Sequence, residues 1–151
     1  MRFRDLLETM NSKYNIVKIE KKDVDFYYLE NINNEQYRVF IENNNNDLHI
    51  GFEWFDGTDW DISSRTNKLT AKEVFGIFGT IKHILKTEYK QIKSIFVFTL
   101  DSKKAQTYHN AIRKLALDFN LNSVVRDEVR ILARNTNYNY KTKFKYKFNK
   151  E

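Results

Sequence analysis

No cysteine occurs in this chain, so disulfides and thiolate zinc sites are excluded and a reducing compartment suits it. No segment approaches about eighteen uninterrupted apolar residues, and Met1-Arg2-Phe3-Arg4-Asp5 lacks the apolar stretch of a secretion signal. Together these absences predict a protein that makes no membrane contact, is not exported by a signal peptide and resides in a cytoplasm. The three histidines, His49, His83 and His109, never fall at His-x-x-x-His or His-Glu-x-x-His spacing, so no histidine metal site is indicated. A Gly-x-Ser-x-Gly nucleophile turn and a phosphate loop are missing as well.

What the chain has in excess is positive charge, +6 overall, and it is unevenly placed. Lys141, Lys143, Lys145, Lys147 and Lys150 are opposed at that end only by Glu151, and without them the remainder is close to neutral. Such a surface raises affinity for nucleic acid and other polyanions. A length of 151 residues suits one domain with a real core.

The organising stretch runs from Ala71 to Asn120. Val74, Ile77, Phe78, Ile81, Leu85 and Tyr89 recur at helical spacing, which predicts a helix with one buried stripe. Thr70 and Glu73 stand three apart at its start, the pattern of a capping box. Gly76 and Gly79 lie inside this helix at a cost of about 1 kcal/mol each against alanine, which predicts a close neighbour, most simply a strand backbone. Ile95 to Leu100 is a short apolar run suited to a strand covered on both faces. Ala105, Tyr108, Ile112, Leu115 and Phe119 then form the stripe of a second helix.

Upstream, alternation through Val24-Tyr28, Tyr37-Ile41 and Leu48-Trp54, with asparagine-rich turns between, predicts a three-strand antiparallel meander. Phe3, Leu6, Leu7 and Met10 suggest a short amphipathic helix ahead of it. Phe55 to Leu69 has no period and leads into the first long helix, a place where anions gather at free N–H groups; Trp60 reads there as a loop anchor over the sheet edge. Downstream, Ser123 to Arg134 reads as a strand. Tyr138, Tyr140, Thr142, Phe144, Tyr146 and Phe148 alternate with Lys141, Lys143, Lys145 and Lys147, which reads as an edge strand guarded by lysines. The other reading of this stretch is a single-strand nucleic-acid surface using Tyr140, Lys141, Lys143, Phe144, Lys145 and Tyr146, provided its rings are exposed. The expected organisation is an amphipathic segment over 1–12, an α+β domain over 13–134 and a basic aromatic strand or tail over 135–151.

The order of meander, helix, strand, helix and strand resembles the GNAT family of N-acetyltransferases, and implies a mixed sheet with helices on both faces. The local match is Asp101-Ser102-Lys103-Lys104-Ala105-Gln106-Thr107-Tyr108, similar to the family's pattern at the start of its last main helix. That resemblance implies Tyr108 as the acid protonating a departing coenzyme A thiolate, with Glu53 on the third meander strand as base. It also implies Arg65, Lys68 and Thr70 as contacts for acetyl-coenzyme A. The family's glycine-rich diphosphate turn, however, is replaced here by Arg65-Thr66-Asn67-Lys68-Leu69-Thr70-Ala71, which has no glycine to let backbone approach a diphosphate. Met1-Arg2-Phe3-Arg4-Asp5-Leu6-Leu7-Glu8 is similar to the leader of small tailed-bacteriophage proteins, which implies a virion or host-cell setting.

These readings rank a non-catalytic GNAT-like phage-type protein first, needing no cofactor and binding other virion or host proteins. An acyl-coenzyme A-dependent N-acyltransferase comes second, and an accessory protein that binds nucleic acid through the basic aromatic C-terminus comes third. Glu53, Asp56, Asp59 and Asp61 form a carboxylate cluster without calcium-loop spacing, and so read as solvated loop acids.

Overall fold

Among the described residues of this glycine-poor chain, asparagine supplies most of the left-handed backbone positions. The computed structural model describes residues 13–61, 69–99, 105–131 and 141–150. Asn45 and Asn46, with φ of 53° and 73°, form a two-residue turn between β3 (Tyr37–Asn44) and β4 (Asp47–Phe55). Positive φ at both central positions matches the twist of a tight hairpin, and asparagine tolerates it better than other side chains. Asn33 and Asn34 repeat the device between the bridged residues Ile32 and Glu35.

Ahead of β3 lie β1 (Ile16–Lys21) and β2 (Asp25–Leu29), so the meander has four antiparallel strands, one more than the sequence predicts. After β4 come the two-residue β5 (Trp60–Asp61), α1 (Ala71–Glu88), β6 (Ser94–Thr99), α2 (Ala105–Asp118), β7 (Leu121–Ile131) and β8 (Lys141–Lys150). They close one mixed sheet in the order β1-β2-β3-β4-β6-β8-β7, with β5 attached to β4. The protein is an α+β fold. Its expected C-terminal edge strand is an inner one: β8 pairs with β6 on one side and β7 on the other.

The crossovers through α1 and α2 both step in the same direction across the sheet, and equal handedness places their helices on one side. Lys82 on α1 meets Asp118 on α2 at 3.0 Å, and both helices share a single core with the Tyr37, Val39 and Ile41 row of β3. The described helices therefore lie on one face, which corrects the expectation of helices on both. The close neighbour of Gly76 is likewise not a strand backbone. A Cβ there would stand 2.8 Å from the Tyr14 ring, and the Tyr14 N–H donates to Thr80 Oγ1 at 2.8 Å.

The far end of α1 is tied to the first hairpin by two phenols. Tyr27 donates to Glu88, Tyr89 donates to Asp25 at 2.5 Å, and Lys21 pairs with Glu88 at 3.2 Å. Burial, then the carboxylate acceptors, raise both phenol pKa values above the ordinary tyrosine range. A folded-state pKa above the unfolded one contributes stability that is complete below about pH 10 and is lost as pH rises further. Alkaline titration is thus expected to give phenolate absorbance from these two tyrosines only together with loss of the near-ultraviolet circular dichroism. Ionisation in a still-folded protein would contradict the assignment.

Candidate functional site

Three features bear on ligand binding: the N-terminus of α1, the place where β4 leaves β6, and the sheet surface around Glu53. The capping box is present. Thr70 is extended (φ −72°, ψ 162°), its hydroxyl accepts from Glu73 N–H at 3.2 Å, and its own N–H donates to Glu73 Oε1 at 2.9 Å. Asn33 donates to the remaining oxygen, Glu73 Oε2, at 2.7 Å. The positive end of the helix dipole is therefore answered by the protein's own carboxylate, and a diphosphate approaching Thr70 would meet like charge.

β4 and β6 run parallel for four residue pairs, from Asp47↔Ser94 to Ile50↔Val97. Beyond that point Phe98 and Thr99 pair with β8, while Trp54 and Phe55 of β4 pair with Asp61 and Trp60 of β5. Since β3 already occupies the other edge of β4 as far as Tyr37↔Trp54, β5 takes the edge that β6 has left. The strands thus part in the half of β4 that leads towards α1, and a folded-back piece of the same chain stands at the parting.

Glu53 lies on the sheet row opposite the helix-covered one, and there it is taken. Register sets it across from Arg38, whose Nε donates to Glu53 Oε1 at 2.8 Å, with 14% and 15% of the two side chains exposed. The guanidinium lies over the rings of Phe26 at 3.9 Å and Trp60 at 4.3 Å, and donates to the Tyr28 hydroxyl at 3.1 Å. Planar, delocalised charge suits contact with two ring faces as an ammonium would not. Tyr28 in turn bonds Glu20, and with Lys18 it holds that carboxyl down to about 2. The result is a charged and aromatic row drawn from β1 to β5. Trp60 is the anchor the sequence suggests, but what it grips is Arg38.

Comparison with protein-family models, with curated proteins and with solved structures finds no match for this chain.

The remaining candidates scatter. Arg65, Lys68, Tyr140 and the leader residues 1–12 lie outside the described residues. Tyr108 belongs to α2, in a part of that helix whose side chains are not described. Lys141, Lys143, Phe144, Lys145 and Tyr146 belong to β8, where Phe144, Tyr146 and Phe148 stand opposite Thr99, Val97 and Ile95. Of the carboxylate cluster, Asp56 accepts from Thr58 and Asp59 N–H groups at 2.8 and 2.7 Å, which lowers its pKa and shapes the β4–β5 turn. Among the described residues no cluster of histidine and acidic groups could hold a metal, and no helix is long and apolar enough to cross a membrane. A hollow of about 320 Å³ opens beside Val17, Tyr28, Asn31, Gln36 and Trp60, lined by no residue of α1 or β6.

The residue that sequence reasoning missed is Arg38. A signal existed: counting back through a two-residue turn at Asn45-Asn46 sets Arg38 opposite Glu53.

Proposed function

We propose that the chain is a non-catalytic domain of GNAT-like form that acts by binding another protein, in a virion or on a host component. The observation that carries this reading is the capping box of α1, which sets the Glu73 carboxylate beside the first turn, where an anionic cofactor would have to come. The Arg38–Glu53 pair supports it further, because a carboxylate held by a stacked guanidinium is not available to take a proton from an amine. A meander followed by helix, strand, helix and strand in one mixed sheet supports the GNAT-like form, and the resemblance of Met1 to Glu8 supports the phage setting. Calorimetric titration with acetyl-coenzyme A tests the reading. No heat of binding is expected at about 1 mM ligand, an affinity limit near −4 kcal/mol; a saturable isotherm would overturn it.

The runner-up, an acyl-coenzyme A-dependent N-acyltransferase with Tyr108 as acid and Glu53 as base, draws on one observation, the parting of β4 from β6 after Ile50. Coenzyme A needs such a splay. For that reading to hold, β5 would have to give up the β4 edge and Glu53 would have to exchange Arg38 for the substrate amine.

A further inference from the structure

The free edge of the sheet at β1 carries two exposed apolar side chains beside its three charged ones. Val17 is 66% exposed and Ile19 48% exposed, two of the three large apolar side chains left in solvent among the described residues. Described residues pair β1 with β2 only, and the strand has no proline. A row of unpaired N–H and C=O groups carrying exposed Val and Ile is a template for another strand.

We propose that β1 pairs antiparallel with β1 of a second copy of this chain, about a two-fold axis at Ile19. The charge pattern identifies the occupant. With Ile19 on the axis, it faces its own symmetry mate, Lys18 faces Glu20 of the second copy, and Glu20 faces Lys18 of the second copy. Cross-strand partners in such a dimer must lie on the same face, so the axis can move only in whole-residue steps. A step either way sets Lys18 against Lys18 or Glu20 against Glu20, and like charges directly opposite are unfavourable. Lys18 and Glu20 already lie 3.1 Å apart within one strand, so pairing joins two ion pairs into a ring of four alternating charges. An isologous contact of this kind closes at two copies, leaving β7 as the outer strand of each. The bulge between Ile16 and Lys18 limits the pairing to the last part of β1, which makes the contact small and the dimer concentration-dependent. This self-association goes beyond the proposed function, and holds whether or not the domain is catalytic.

Sedimentation velocity over a concentration series, with circular dichroism to confirm folding, tests the contact. Lys18→Glu and Glu20→Lys are each expected to weaken the dimer about tenfold, because each reversal sets two like pairs in place of two opposite ones. The double variant Lys18→Glu/Glu20→Lys should restore it. Since the chain has no cysteine, Ile19→Cys gives a single thiol per copy, and mild oxidation should link two copies across the axis, where facing strand residues lie within disulfide reach. A chain monomeric up to about 1 mM, a dimer indifferent to the reversals, a double variant without recovery, or failure of Ile19→Cys to cross-link would each overturn the proposal.

Discussion

Arg38→Ala is expected to destabilise the protein by about 3 kcal/mol, at the lower end of the range for breaking a buried ion pair. The lower end applies because Arg38 and Glu53 retain 14% and 15% of their side-chain exposure. The loss has two sources. Glu53 keeps a charge with no cation beside it, and Trp60 loses the plate on which it stacks at 4.3 Å. Urea denaturation measures the first, and a red shift of tryptophan emission reports the second. Arg38→Lys should recover little, because an ammonium can neither lie flat over the Phe26 and Trp60 rings nor reproduce the fixed direction of the Nε bond. Removing both charges with Arg38→Met/Glu53→Gln should recover a large part, since a polar pair replaced by uncharged groups leaves no stranded ion. A cost below about 1 kcal/mol for Arg38→Ala would place the pair among ordinary surface bridges, and Glu53 would then be free to act as a base.

Phe78→Ala should cost about 3–5 kcal/mol, as expected for an aromatic ring removed from a packed core. Phe78 is fully buried near the middle of α1, and its ring meets that of Phe52 on β4 edge-on, centroids 6.2 Å apart. It joins the helix to the strand that parts from β6. A domain of ordinary stability has about 5–15 kcal/mol in total, so the variant should lose a substantial share of it. Phe78→Leu keeps most of the volume and should cost less than half as much; equal losses for the two would show that ring packing is not what anchors α1.

How far the sequence foretold this structure depended on whether the determining contact was local. The Thr70–Glu73 capping box was legible because both partners lie within one helical turn. The presence of β6 and the α1 stripe were legible for the same reason, since apolar patterning is a property of neighbouring residues. The inner position of β8 was not. A lysine-alternating strand reads as a guarded edge until its partners are known, and β6 and β7 come from elsewhere in the chain. Gly76 announced a close contact without naming Tyr14, since a missing Cβ says only that space is needed. The expected base, Glu53, was correctly set on the third strand of the predicted meander, here β4; its partner became visible only when the Asn45-Asn46 turn fixed the register. In that case both residues were in view and the turn length that joins them was not.

The account rests on the first turn of α1 being closed by its own carboxylate. Amide chemical shifts followed by nuclear magnetic resonance during titration with acetyl-coenzyme A test this directly, at the resonances of Ala71, Lys72, Glu73 and Val74. The account predicts that these four amides stay in place up to about 1 mM ligand. Saturable shifts of the same amides in the unaltered chain, with a common dissociation constant, would mean that a diphosphate displaces Glu73 and that the domain is built to hold a cofactor.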